Sequence, residues 1–280
     1  MKIGIIGSSG FLGKNISQYL KKKNKVKNFS SYNKLKKNWL VKVCEEIKSF
    51  APDIIVNCSA SQILDDDKKS IDKLIYSNLY SQTVFLSEAK KKKNFVGFIT
   101  FGSRWEYNQK GKYKPNNFYA ATKHASDYLL KYFTDIKTTI ISLKVFDTYG
   151  ENDKRKKILN LLLANYKKQT NLNLSPGRQE IDLVNVIDIC KLVSQILNDI
   201  KNKKLKGFKR YTVSSKKPIQ LIELIKILKK VLKNKLYVKV GAIEYRKNES
   251  MKCLKKTFNY PKWQPQNTLK KDLKKIFDKK

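Results

Sequence analysis

Acidic residues are what this chain most lacks. In 280 residues, 23 Asp and Glu stand against 61 Lys and Arg, a formal charge of +38, and no acid precedes Glu45. Arginine is scarce too, with five in all: Arg104, Arg155, Arg178, Arg210 and Arg246. Base readout in nucleic acids leans on arginine, and the lysines are scattered rather than gathered in a tail. The charge therefore reads as drift in an AT-rich genome, not as a specific nucleic-acid footprint, and runs such as KKKNK and KKKKN as solvated helix ends. Weak polyanion binding at low salt follows all the same. Histidine occurs once, as His124. It follows Lys123 on a predicted helix and is expected on the surface. The four cysteines (Cys44, Cys58, Cys190, Cys253) are far apart with no CxxC pair. That excludes the usual zinc spacings, so no metal is expected, and it predicts reduced thiols in a cytoplasm. No apolar run approaches the ~20 residues that span a bilayer. The opening MKIGIIGSSG is broken early by glycine and reads as a buried strand rather than a signal peptide.

What is present is a globular composition, 41% hydrophobic and 30% charged. The first half alternates short apolar runs with amphipathic stretches. Strands are predicted at 2–7, 26–30, 53–57, 95–101 and 138–145. Helices are predicted at 11–21, 39–50, 71–90 and 118–133. Continuous apolar strands alternating with helices imply a parallel sheet covered on both faces, an α/β doubly wound fold. After Gly150 the pattern loosens. Residues 1–150 read as a dinucleotide-binding domain, with 182–213 returning to its sheet. Residues 151–181 and 214–280 read as a smaller substrate domain.

The first strand runs into Gly7-Ser8-Ser9-Gly10-Phe11-Leu12-Gly13, and a helix follows. GxxGxxG in a strand–turn–helix setting lets backbone N–H groups approach a pyrophosphate at the positive helix terminus. An acid at the end of the second strand would hold the ribose hydroxyls of NAD. This segment, NKVKNFSSYNKLKK, has none. Ser30, Ser31, Lys34, Lys36 and Lys37 suit a 2′-phosphate instead, so NADPH is expected over NADH.

YAATK puts Tyr119 and Lys123 on one helix face. An ammonium beside the phenol favours phenolate and is expected to lower its pKa, fitting it to exchange a proton with a carbonyl or alcohol oxygen. Ser103, in FGSRWEY, closes the fourth strand at the crevice where such sheets bind ligands. Its hydroxyl can bond the same oxygen, or serve as a turn cap. The order of glycine loop, serine and Tyr-x-x-x-Lys gives the set its weight.

Taken together, the chain resembles the extended short-chain dehydrogenase/reductase family, the NAD-dependent epimerases and dehydratases, over nearly its whole length. GSSGFLG resembles the cofactor loop and PDIIVNCSA the third-strand signature. Ser103, Tyr119 and Lys123 resemble the catalytic triad. The resemblance implies a Rossmann-type fold. It implies cofactor contacts from Gly7, Ser9, Gly10, Phe11, Leu12, Gly13, Ser30, Ser31, Cys58, Ser59, Ala60, Asn78, Tyr119, Lys123 and Val145. It implies substrate contacts from Ser61, Arg104, Trp105, Arg178 and Arg246. LKVFDTYGENDKRKKILNLLL resembles the segment that passes the nicotinamide, and LSPGRQEIDLVNVIDI the return to the main domain. Within the family the chain is similar to the CDP-paratose and CDP-abequose synthases, 4-ketoreductases of nucleotide-linked deoxysugars in surface polysaccharide (O-antigen) synthesis. A homodimer is a further implication.

The departures bear on the chemistry. Arg104 and Trp105 stand where family dehydratases carry an acidic pair, so elimination lacks its acid and base. Ile181 stands where the family has a diphosphate-binding arginine, and Asp147 where an asparagine is common. The expected activity is NADPH-dependent reduction of a 4-keto deoxysugar nucleotide, linked to CDP or dTDP. The alternatives are a 4-epimerase with tightly held NAD and a non-catalytic NADP-binding scaffold.

Overall fold

The computed structural model describes residues 1–32, 38–233, 235–246, 249–255 and 257–278. Its centre is a six-stranded sheet in the order β10-β5-β4-β3-β1-β2. The strands are β1 (Lys2–Ile6), β2 (Lys25–Asn28), β3 (Ile54–Asn57), β4 (Gly97–Ser103), β5 (Thr139–Val145) and β10 (Phe208–Val213). Every neighbouring pair is parallel. This is the Rossmann-type α/β architecture the alternating pattern predicts. β2 lies on one side of β1 and β3 on the other, so the chain reverses its winding there. That reversal opens a crevice beyond the carboxyl ends of β1 and β3.

Side chains alternate across the sheet and meet helices on each face. Ile3, Ile5, Ile54, Val56, Ile99, Ile141 and Leu143 pack with Ile16 and Leu20 of α1 (Phe11–Leu20). Ile189, Val193 and Ile196 of a long helix, Val186–Lys201, complete that layer. On the opposite face Ile6, Ile55, Phe98 and Ile140 meet α2 (Trp39–Phe50), through Trp39, Val43 and Ile47. They also meet Phe85 and Leu86 of Ser81–Lys90, and Leu130 of Phe118–Tyr132. Each fully buried Ile, Leu or Phe contributes ~1.5–3 kcal/mol.

The predicted helix 71–90 is divided. α3 (Lys68–Ile75) starts earlier, where the Asp67 carboxylate accepts the Ser70 N–H. A π turn (Tyr76–Tyr80) follows, then α4 (Ser81–Lys90). The extra residue in that turn directs Asn78 inward, and such bulges recur at functional sites. The chain continues through α5 (Phe118–Tyr132), β6 (Asp147–Tyr149), α6 (Ile158–Lys168), β7 (Leu172–Leu174), β8 (Glu180–Ile181), β9 (Leu183–Asn185) and α7 (Val186–Lys201). α7 and β10 bring 186–213 back onto the sheet, β10 pairing with β5. Beyond it lie β11 (Ile219–Gln220), α8 (Leu221–Val231), β12 (Val238–Val240) and α9 (Leu269–Asp278). A second apolar cluster joins α6, α8 and α9 through Leu162, Leu224, Leu228 and Leu273.

Candidate active site

The glycine loop closes the crevice at the end of β1. Gly7 has φ +77, and a Cβ there would stand 2.6 Å from the Ser59 backbone nitrogen. A Cβ on Gly13 would stand 2.3 Å from the Gly7 carbonyl oxygen. Only glycine lets α1 press this closely on the loop. Gly10 is the N-cap of α1 and makes no side-chain cap. The first-turn N–H groups are thus left for an anion at the positive end of the helix.

One cavity, of about 450 Å³, runs along this loop past Ser9, Ser30, Ser31, Tyr32, Trp39 and Ser61. It suits the adenosine half of a dinucleotide. The indole N–H of Trp39 donates to the Ser30 carbonyl at 2.7 Å. Glu46, on α2, accepts from the Ser30 N–H at 2.7 Å and from its hydroxyl at 3.1 Å. The loop itself supplies no acid, as the sequence predicts, but the next helix brings one to its back. Lys34, Lys36 and Lys37 lie outside the described residues.

A second cavity, of about 240 Å³, meets the first at Gly10, Cys58, Ser59 and Ala60. Phe11, Leu12, Gly13, Ser103, Arg104, Trp105, Tyr119, Lys123 and Val145 line it. Ser103 ends β4 in register with Val145. Its Oγ accepts the Trp105 N–H at 3.2 Å, capping a 3₁₀ turn at Arg104–Glu106. A hydroxyl that accepts one bond keeps its proton to donate, so cap and substrate ligand are compatible roles. Asn117 caps α5 by accepting the Ala120 N–H at 2.8 Å. That helix carries Tyr119 and Lys123 one turn apart into the cavity. Tyr119 is 8% exposed, and the Trp105 ring stands edge-on 6.4 Å away.

Electrostatics here differ from the sequence expectation. Burial, reinforced by the Glu106 carboxylate, pushes the Tyr119 phenol well above its ordinary value instead of below it. Burial likewise lowers Lys123, to about 8, with Glu106 opposing the shift. The phenol is therefore held protonated, as a proton donor requires.

The outer rim is built by ion pairs. Arg104 Nε lies 3.1 Å from Asp147 Oδ2. Arg155 pairs with Asp153 at 2.7 Å, donates to the Thr148 carbonyl at 3.0 Å and covers the Phe11 ring at 4.3 Å. Lys157 Nζ stands over the Trp105 ring, 5.4 Å from its centre, and burial lowers its pKa. Asp147, Thr148, Arg155 and Lys157 all line the cavity. Sequence reasoning quoted their segment but singled out none of them for the pocket, because a loop carries no periodic signal of which side chains turn inward.

Several expected residues take other places. Asn78 lines neither cavity. It is fully buried, bonds the Ser61 backbone through both its oxygen and its nitrogen, and donates to Thr122 on α5. These bonds brace the loop after β3 against α5. Ser61 lines the adenosine cavity, not the one holding Tyr119. Arg178 and Arg246 are exposed and line neither. His124 is no surface residue. It is 6% exposed, stacks on Tyr113 at 3.8 Å and places Nδ1 3.3 Å from Glu106. The segment between Tyr107 and Tyr113 folds back over α5 and covers it.

A glycine-cradled helix terminus at a switch point, opening onto Ser, Tyr and Lys in one cavity, defines a Rossmann-type dinucleotide-binding protein. Residues 3–209 match the NAD dependent epimerase/dehydratase family, and the chain belongs to it. A CDP-abequose synthase of Yersinia pseudotuberculosis is 26% identical over 265 residues, 90% of this chain and 91% of that one. Among solved structures, UDP-glucuronic acid 4-epimerase from Bacillus cereus, in complex with UDP-glucuronic acid and NAD, superposes with a TM-score of 0.81. It is 18% identical, over 99% of this chain and 98% of that one. RMD from Pseudomonas aeruginosa, complexed with NADPH, gives 0.77 at 18% identity, over 99% and 97%.

Proposed function

We infer that the chain is a cytoplasmic nucleotide-sugar 4-ketoreductase that uses NADPH. The observation that carries this reading is the buried Tyr119 sharing one cavity with Ser103, Lys123 and the Gly10–Gly13 helix start, and burial raises its pKa, which favours the protonated phenol. Gly7, Gly10 and Gly13 leave the room and the N–H groups that a dinucleotide pyrophosphate needs. When bound, the nicotinamide supplies a hydride to the keto carbon. Tyr119 gives its proton to the resulting alkoxide oxygen. Ser103 donates to that oxygen and orients the carbonyl. The charged Lys123 stabilises the phenolate left behind. Placed donors in a water-poor site supply most of the acceleration.

Elimination of water is disfavoured because Arg104 is tied to Asp147, and Glu106 lines neither site cavity and is engaged by Ser103 and Lys144. The similarity to CDP-abequose synthase supports a CDP-linked deoxysugar. Arg155 and Lys157 line the cavity while Arg178 and Arg246 do not, which supports Lys157, the one of the two without a close carboxylate partner among the described residues, as a contact for its diphosphate. In this reading, residues 151–181 and 214–280 complete the nucleotide-sugar side. The exposed Tyr80, Tyr128, Leu129 and Tyr132 form a surface for a second copy.

The test is NADPH oxidation with CDP-4-keto-3,6-dideoxyglucose, wild type against Tyr119→Phe. Equal rates overturn the mechanism. A second reading, 4-epimerisation with resident NAD, is favoured by Glu46 at Ser30, since a carboxylate near the ribose suits NAD. Stoichiometric NAD in the purified protein establishes it in place of the first.

A further inference from the structure

Behind the cavity lies a buried charge network that the reaction as written does not use. Lys144, on β5, is 0% exposed and stands 2.6 Å from Glu106 Oε2 and 2.8 Å from Asp127 Oδ2. The other Glu106 oxygen accepts the Ser103 N–H at 2.7 Å. Asp127, one turn beyond Lys123 on α5, also accepts from Ser142 at 2.7 Å and faces Arg210 Nε at 2.9 Å. Gly102 makes the room. A Cβ there would fall 2.5 Å from Glu106 Oε1 and 2.7 Å from Lys144 Nζ. Removing charges from water is expensive, and an apolar interior here would cost less. A network kept beside a reacting group points to a role in its electrostatics.

We propose that Glu106 and Lys144 are positioning residues that act through Lys123, which α5 holds one turn from Asp127 and in the same cavity as Ser103, so that the network backs it from the helix and from the end of β4. The charges facing Lys123 come from every element around it. They are Glu106 in the 3₁₀ turn, Asp127 on its own helix and Lys144 on β5, while the Cys58 thiol after β3, which burial keeps protonated, adds none. Two carboxylates against Lys144 and Arg210 leave Lys123 as the uncompensated cation of the group. Burial works to lower Lys144, but Glu106 and Asp127 outweigh it and hold that ammonium above its ordinary value. Burial likewise works to raise Glu106, and Lys144 with the bonds from His124 and Ser103 holds it below. The pair thus keeps its charges across the pH range in which Lys123 titrates, and this inference rests on the reductase reading only for its consequence in catalysis.

The test needs no sugar. In protein labelled with carbon-13 at the lysine Cε, the Lys123 resonance is identified by its loss in Lys123→Arg and is expected to titrate near 8. Glu106→Gln is expected to move that midpoint down by roughly one pH unit, and Lys144→Gln to move it up by a similar amount. The double variant returns it close to the wild-type position. Should Glu106→Gln fail to accumulate folded, the rise in Lys144→Gln and its reversal in the double variant decide alone. A midpoint that stays fixed in folded variants, or shifts the same way in both, overturns the proposal. Tyr119→Phe turnover is measured separately, so the reductase reading can fail while this result stands, and the reverse.

Discussion

The two ends of the cleft are built differently. At the end holding Tyr119, Glu106, Asp127, Lys144 and Arg210 form a partnered network behind Ser103 and Lys123. At the end proposed for adenosine, serines line the cavity and one carboxylate, Glu46, accepts from Ser30 behind it. The difference teaches where precision is needed. In the proposed reaction proton transfer is sensitive to placement and charge, and the residues proposed for it sit on a strand end and a capped helix fixed by the sheet. Holding an adenosine half requires shape and hydrogen bonds, which a loop against α2 provides.

The sharpest way to break this contrast is Tyr119→Phe. The ring and its packing against Trp105 remain, but the proton is gone. Turnover is expected to fall ~10²–10⁴-fold, with NADPH affinity unchanged by fluorescence titration. The wild-type rate should decline as pH rises through about 8, where Lys123 loses its charge and no longer stabilises the phenolate. A large loss of cofactor affinity in Tyr119→Phe would mean that the two ends are not separable.

Gly13→Val strikes the element that the ends share. Its Cβ cannot sit 2.3 Å from the Gly7 oxygen, so loop and helix must part. NADPH affinity is expected to drop by about 100-fold, cutting a ligand-induced stabilisation of ~2.7 kcal/mol, at 100 times the wild-type Kd, to ~0.4 kcal/mol. Thermal shift with and without NADPH reads this directly.

How much of this was legible beforehand follows the same division. The glycine loop, Ser103, Tyr119 and Lys123 stand out because backbone geometry and helical spacing constrain residue type at fixed offsets. The parallel sheet follows from unbroken runs such as IIVN and TIISLKV. The network was not legible. Glu106 and Asp127 are brought to Lys144 by sheet register and helix packing across 38 and 17 residues. The expected fall in the Tyr119 pKa failed for the same reason. It weighed the neighbour in sequence, Lys123, and left out burial and Glu106. His124 was misplaced because a covering segment leaves no trace in helical periodicity.

Lys157→Met sharpens the contrast within the catalytic end, separating rim from inner wall. The thioether keeps the contact with Trp105 and removes the charge. KM for the nucleotide sugar is expected to rise about tenfold, the ~1.4 kcal/mol of one charge-assisted contact, with kcat within about twofold. A fall in kcat with KM unchanged would place Lys157 at the reacting centre instead.

Glu46→Gln makes the smallest change and bears on cofactor choice. The amide keeps the geometry: its oxygen can accept from the Ser30 N–H, and its nitrogen can donate to the Ser30 hydroxyl. Only the negative charge is lost. In the wild type both carboxylate oxygens are engaged by Ser30, so the acid acts on a ligand through space. A screened charge interaction of this kind is worth ~0.5–1 kcal/mol. NADPH should therefore bind about two- to fivefold more tightly to the variant, with NADH nearly unchanged, and the gain should shrink as salt is raised. An equal change for both cofactors would show that Glu46 acts by shaping the loop. A loss confined to NADH would mean that the carboxylate holds the ribose, which returns the adenosine end to an NAD site and strengthens the epimerase reading.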